Sequence, residues 1–249
     1  MKNTSRGCVI VINQPSLFPW IGELEKMRLA DVYVSLDSVT VQKSGYLRRY
    51  RMALDGTARW LTVPIVRGQE RAPISTIRLD DATDWRGEHL RKLASWYRSA
   101  PFRDDMLTLV STAYTCAFPL AVDLAEATTE LLATYLEIDI PHRIRSSELG
   151  IASRSSELVR DIVVSLGGTR YVFGPGGRDL QSHYLDRGLL ERSGITPEVM
   201  QYCDLTYGQV ASPVARCSAL DAIAWLGPSA ATLLRSVSVP CVSGFRNTS

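Results

Sequence analysis

The chain has 249 residues, of which 45% are hydrophobic, and 28 basic residues against 26 acidic ones give a net charge of +2. This composition is typical of a globular protein with a buried core, and it gives no electrostatic reason to expect a nucleic acid or an anionic membrane as the main partner. No stretch approaches the roughly 20 apolar residues that cross a bilayer, and the N-terminus lacks the features of a signal peptide, so we expect a cytoplasmic location.

The cysteines and histidines show no pattern typical of a bound metal. The five cysteines are scattered and none forms a Cys-x-x-Cys pair, and the three histidines lack the spacing of metal ligands. The sequence therefore predicts neither a metal site nor a bound cofactor.

The first elements follow the order strand, helix, strand. Residues 8–12 are a short run of mostly β-branched residues, which predicts a buried strand. Apolar residues recur at helical spacing over 21–29, and a second strand is predicted over 32–36. This order is typical of a right-handed βαβ unit with two parallel strands.

Strands and helices continue to alternate along the rest of the chain. Further strands are predicted at 60–63, 74–79, 138–144, 171–173 and 196–202, and helices at 85–98, 104–114, 119–136, 153–166 and 218–226. Ser153 or Ser155 is expected to cap the fourth of these helices, and Gly167 to end it. We therefore predict an α/β fold with a mixed, largely parallel sheet flanked by helices and a helix-rich middle. It forms a single domain over 1–249, with its core at about 8–228 and frayed termini.

Polar residues follow the first two predicted strands. Asn13 and Gln14 end the first strand and lead through Pro15 to Trp20, and Asp37 ends the second. Ligands of open parallel sheets bind at this edge, where loops and helix N-termini meet. We therefore predict that Asn13 and Gln14 hold a polar substrate with Trp20 beside them. Asp37 is predicted to act as a base or amine acceptor, with a structural cap as its alternative role.

Two later segments are candidates for binding an anion. Lys43, Arg49 and Arg51 lie in a predicted basic, aromatic loop, where arginine can bind a phosphate or carboxylate through two hydrogen bonds. A solvated loop is the alternative interpretation. A glycine-rich segment follows a predicted strand and contains Gly174, Gly176 and Gly177. Glycines permit close approach of the backbone to a ligand, so this segment is predicted to bind one.

The last third of the chain holds one candidate nucleophile and a polar group. Cys203 with His183 upstream has the residue types of a thiol nucleophile and its base, although a buried free cysteine is the more common case. Tyr207, Gln209 and Asp221 are predicted either to line a pocket or to hold a loop.

Several of these stretches together resemble the WbqC-like protein family. The resemblance rests on motifs at 12–15, 18–22, 30–37, 60–64, 171–177 and 184–186, and on Tyr207, Gln209 and Asp221 near the end. It covers roughly residues 8–228, and the order and spacing of the motifs make chance agreement improbable. The family usually has His-Gln-Pro where this chain has Asn13-Gln14-Pro15, and Ser38 and Tyr50 also depart from its pattern.

The resemblance implies a cytoplasmic tailoring enzyme that transfers an acyl or aminoacyl group onto an amine, in the biosynthesis of surface polysaccharides or specialised metabolites. Its expected partners are a small-molecule substrate and a carrier-protein or coenzyme A thioester donor, with neither nucleic acid nor membrane; homo-oligomerisation stays open. One alternative is a non-catalytic binding or scaffold subunit. Another is a nucleotidylyltransferase-like enzyme, because 18–22 and 155–160 weakly resemble motifs of that class, although Trp20 and Glu23 stand where its histidine pair would be.

Overall fold

The computed structural model describes residues 7–41, 45–174, 185–203, 205, 207 and 216–239. Strands and helices alternate along most of this part of the chain. In order they are β1 (Val9–Asn13), α1 (Ile21–Arg28), β2 (Val32–Ser35), β3 (Arg49–Leu54), β4 (Thr57–Thr62), α2 (Trp85–Trp96), α3 (Arg103–Thr115), α4 (Ala121–Tyr135), β5 (Arg143–Arg145), α5 (Ser155–Ser165), β6 (Arg170–Phe173), α6 (Arg187–Arg192), β7 (Thr196–Val199), β8 (Gln201–Tyr202), α7 (Ala219–Leu226), α8 (Thr232–Val237) and β9 (Ser238–Val239).

The central feature is a five-stranded sheet in the order β5-β2-β1-β6-β7. Each of its four pairings is parallel, so the predicted βαβ unit and α/β class are confirmed. The chain moves from β1 outward to β2 on one side, whereas β6 and β7 lie on the other. The order therefore reverses between β1 and β6, and such a switch point opens a crevice at the carboxyl ends of the strands.

Helices cover both faces of this sheet. Val9 and Val11 of β1 face a large core that includes residues of α1, α2, α3, α4 and α7, whereas Ile10 and Ile12 face a smaller core that includes residues of α5. Burying a side chain of this size stabilises the fold by about 1.5–3 kcal/mol. Strand β1 is apolar on both faces because both are covered, which explains its continuous hydrophobic sequence.

Strands β3 and β4 form a separate antiparallel hairpin. Its inner face carries Tyr50, Met52 and Leu61, each at most 1% exposed. Arg51 pairs with Trp60 on the opposite, outer face. The prediction of a basic loop here was wrong, because strand alternation buries every second residue and leaves the arginines facing outward.

Three local predictions also differ from the structure. The strand predicted at 74–79 is a 3-10 helix over Ile74–Thr76, in which Ile74 and Ile77, three residues apart, are both fully buried. The strand predicted at 138–144 is reduced to β5. No side-chain hydrogen bond caps α5, because Ser155 is its first residue and has a left-handed φ of 52°. Gly167, with φ of 67°, follows the end of α5 as predicted.

Candidate active site at the strand ends

The polar ends of β1, β2 and β6 lie side by side at the switch point. Asn13 pairs with Ser35 of β2, and Val11 pairs with Val172 of β6. Continuing that register places Gly174 beside Asn13, and a Cβ atom at Gly174 would lie 3.8 Å from Nζ of Lys26 in α1. Two segments far apart in sequence, each predicted separately to bind a ligand, therefore border one crevice.

Lys26 and Asn13 form the centre of this crevice. Nζ of Lys26 donates to Oδ1 of Asn13 at 2.5 Å, and Lys26 is only 7% exposed. A lysine ammonium has donors only, so the oxygen of the Asn13 amide must face it. The amide nitrogen then points away and is buried. A side-chain hydrogen bond from Asn13 partly offsets the rise that burial causes in the pKa of the Tyr33 hydroxyl.

Glu23 supplies a carboxyl group on the same face of α1 as Lys26, three residues away. Burial raises the pKa of Glu23 to about 7, partly offset by the Lys26 ammonium and by a hydrogen bond with Ser16. Burial lowers the pKa of Lys26 to about 8, partly offset by the Glu23 carboxylate. Near neutral pH each group therefore lies close to its titration point, as an acid or base in catalysis requires.

Aromatic residues form one wall beside this pair. The rings of Trp20 and Tyr202 meet edge to face with centroids 4.7 Å apart, and the guanidinium of Arg216 lies 5.9 Å from the centroid of the Trp20 ring. The Trp20 ring packs directly on Gly22, where a Cβ atom would approach it to 2.3 Å. Only glycine at this position leaves room for the Trp20 ring.

Asp37 lies at the end of β2, but its carboxylate is already bonded. It is fully buried and accepts hydrogen bonds from Oγ of Ser146 at 3.1 Å, from the backbone N of Ser147 at 2.9 Å and from Oγ of Ser147 at 2.7 Å. These contacts join the end of β2 to the residues that follow β5. The geometry thus favours the structural cap over the catalytic base.

Replacing Asp37 with alanine is expected to destabilise the fold by about 2–3 kcal/mol, because the buried hydroxyl of Ser146 and two donors of Ser147 lose their acceptor. Urea unfolding followed by circular dichroism measures this change, with Asp139→Ala, at an exposed position, as the control. An unchanged unfolding midpoint together with lost turnover would instead support the catalytic role predicted from the sequence.

Asp221 belongs to a second polar cluster, buried beneath β3. Its carboxylate accepts hydrogen bonds from the hydroxyl of Tyr97, from the hydroxyl of Tyr207 at 2.7 Å and from the backbone N of Ala53 at 3.3 Å. Burial raises the pKa of Asp221, and these three donors partly offset the effect. Asp221 is 4% exposed, so the cluster joins α7 to α2 and β3 rather than lining an open pocket.

The remaining predicted residues are only partly placed. Gln14 is half-buried after β1, and Cys203 is exposed beside β8. Five predicted site residues lie outside the described residues: Lys43, Gly176, Gly177, His183 and Gln209. The predicted pairing of Cys203 with His183 therefore stays a prediction.

Sequence reasoning missed Glu23 and Lys26 as site residues. Both lie on a helix that is predicted from the spacing of its apolar residues alone. Their spacing of three was the available signal, because it places both groups on one face of the first helix after the first strand. What the sequence does not reveal is that this face is covered and its charges desolvated.

No group of three or more histidine, cysteine, aspartate or glutamate residues in the described part of the chain could hold a metal ion. No helix within the described ranges is long and apolar enough to cross a membrane.

A five-stranded parallel sheet with helices on both faces defines an α/β protein. The chain belongs to the WbqC-like protein family, whose model matches residues 14–233. It is also similar to an uncharacterized protein of Mycobacterium tuberculosis, with 24% identity over 198 residues that cover 75% of this chain and 79% of the relative. No solved structure matches the chain.

Proposed function

We propose that this protein transfers an acyl or aminoacyl group from an activated donor onto the amine of a small molecule, in the biosynthesis of a surface polysaccharide or a specialised metabolite. The observation that carries the proposal is the Glu23–Lys26 pair in the switch-point crevice. Its two pKa values, about 7 and about 8, suit proton transfer at neutral pH.

Glu23 is the general base of the proposed reaction. An amine that is protonated at neutral pH becomes nucleophilic only after its ammonium group loses a proton, and a carboxylate with a pKa near 7 accepts that proton efficiently. The amine nitrogen then forms a bond to the acyl carbon, and the bond from that carbon to the donor's sulfur or oxygen breaks with the electron pair leaving on the donor. Glu23 takes the role first predicted for Asp37, whose carboxylate is occupied.

Lys26 and Asn13 stabilise the oxyanion that forms as the amine attacks. The Lys26 ammonium brings a positive charge into a site with little water, and the amide of Asn13 holds that ammonium in place through its Oδ1. Asn13 cannot act as a base, so this division of roles suits a chain that has asparagine where the family usually has histidine.

The test is a search for turnover with the purified full chain. Coenzyme A thioesters, carrier-protein thioesters and aminoacyl adenylates are each incubated with a panel of amino sugars and other amines, and amide products are detected by mass spectrometry. The proposal expects an amide with the wild type and with Glu191→Gln, an exposed control, and a strongly reduced yield with Glu23→Gln. An amide formed equally well by Glu23→Gln would refute the assigned base. Failure of every donor and amine would favour a non-catalytic binding subunit.

A further inference from the structure

The outer face of the β3–β4 hairpin carries two arginines held against a tryptophan. Cζ of Arg49 lies 4.3 Å from the centroid of the Trp60 ring, and Cζ of Arg51 lies 5.5 Å from it. Trp60 is nevertheless 39% exposed, the largest exposure given for a tryptophan on the described surface. We call Arg49, Arg51 and Trp60 the arginine clamp.

The two guanidinium groups lack the acidic partners that usually accompany adjacent arginines. Neither forms an ion pair with any residue that the structure describes, whereas Arg143, Arg145 and Arg170 all do. Nε of Arg49 donates to the carbonyl of Gly45 at 3.2 Å, and Nε of Arg51 is buried with no partner within the described ranges. Two like charges on one face of a strand repel each other, so an anion bound between them would relieve the repulsion.

The position of the clamp connects it to the strand-end crevice. The backbone carbonyl of Arg51 accepts a hydrogen bond from N of Ser218 at 2.8 Å, and Ser218 in turn forms a β-bridge with Trp20 of the crevice wall. On the other side, the Tyr46 ring packs on Trp60 with centroids 5.5 Å apart, and the Tyr46 carbonyl accepts from N of Leu17 at 2.9 Å. A ligand that reached from the arginine clamp to the strand-end crevice would therefore lie across residues that are joined by these hydrogen bonds.

We propose that the arginine clamp binds the phosphate groups of the acyl donor. Guanidinium groups that stack on an aromatic ring keep their N–H edges free, and those edges match two oxygens of a phosphate. Two guanidinium groups together match a diphosphate or a phosphomonoester better than they match a single carboxylate. The inference rests on the proposed function for the identity of the ligand as a donor, but phosphate binding itself is measured without turnover.

The experiment measures binding by isothermal titration calorimetry on the full chain, with pyrophosphate, AMP, coenzyme A and adenosine as probes. The three phosphorylated probes are expected to bind saturably and adenosine is not. Arg49→Ala and Arg51→Ala are each expected to weaken binding by about ten- to hundredfold, the effect of losing a charge-assisted hydrogen-bonded contact. Arg59→Ala is the matched control, because Arg59 is exposed on the same hairpin and pairs with Met52 rather than with the clamp.

The probes also distinguish the two sources of phosphate. Tighter binding of coenzyme A than of AMP identifies a thioester donor, and the reverse order identifies an acyl adenylate. Arg51→Lys, which keeps the charge, is expected to fold and to retain only part of the affinity because it cannot form the paired hydrogen bonds.

Equal binding of adenosine and AMP, equal losses in Arg59→Ala and Arg51→Ala, or no saturable binding of any phosphorylated probe would overturn the inference. Amide formation without phosphate binding would support the proposed function and contradict the arginine clamp. Phosphate binding to the clamp without any amide product would support the clamp and contradict the proposed function.

Discussion

Replacing Glu23 with glutamine is expected to lower kcat for acyl transfer by about 100- to 10,000-fold, the usual contribution of a positioned general base. Glutamine keeps the size and polarity of the side chain, so it can still form a hydrogen bond with Ser16. Its amide cannot accept a proton, so the function as a base is lost. The phosphate groups of the donor bind at the arginine clamp in the proposal, so the Kd of the donor should change little. A fall in binding with unchanged kcat would contradict the assigned role.

The pH dependence of the wild type should report the same pair of groups. Glu23 acts as a base only when ionised, so kcat/KM is expected to rise as the pH increases through about 7. Lys26 stabilises an oxyanion only when charged, so the rate is expected to fall as the pH increases beyond about 8. The profile is thus a narrow bell whose two apparent pKa values belong to the coupled pair. Its acid limb should disappear in Glu23→Gln, and a broad plateau in the wild type would argue against the pair.

The titration of the Glu23 carboxyl group can also be measured without any substrate. Its pKa is raised on folding, from 4.5 to about 7, so the folded state holds this proton more tightly than the unfolded state does. The resulting contribution to stability is fully present below pH 4.5 and is lost as the pH rises to about 7. Comparing urea unfolding of wild type and Glu23→Gln across this range should reveal that loss in the wild type alone. A carboxyl carbon that titrates near 4.5 in NMR spectra would contradict the assignment.

Replacing Asp221 with alanine is expected to reduce the free energy of unfolding by about 3–5 kcal/mol, because it removes the shared acceptor of one buried and two partly buried donors. The hydroxyls of Tyr97 and Tyr207 would lose their acceptor, whereas the backbone N of Ala53 would keep its hydrogen bond to the Tyr97 hydroxyl at 3.1 Å. Guanidinium chloride unfolding followed by circular dichroism measures the change.

Two further variants show whether the effect belongs to this cluster. Tyr207→Phe removes one donor and leaves the carboxylate bonded to the other two, so it should cost only about 1 kcal/mol. Asp139→Ala, at an exposed position, should leave the midpoint unchanged. If Asp221→Ala kept full stability but lost ligand binding, Asp221 would instead be the substrate-binding residue that the sequence predicted.

The sequence by itself determined the elements whose signal is local. The continuous apolar run of β1 predicts a strand buried on both sides, and regular helical spacing predicts α2, α3 and α4 to within a few residues. Segments with a weaker local signal were assigned wrongly. The apolar residues of 74–79 fit both a strand and a 3-10 turn. The chain forms the 3-10 turn because this conformation buries Ile74 and Ile77 together.

Only the tertiary structure decided which polar residues meet and which are already bonded. Asp37 and Asp221 were predicted as site residues from their residue type and position, yet buried partners from distant segments occupy both carboxylates. Glu23 and Lys26 gave no distinctive signal in sequence, because a charged pair at helical spacing is ordinary when solvated. Their shifted pKa values arise from desolvation at the crevice between β1 and β6, and desolvation depends on what the rest of the chain places around a side chain.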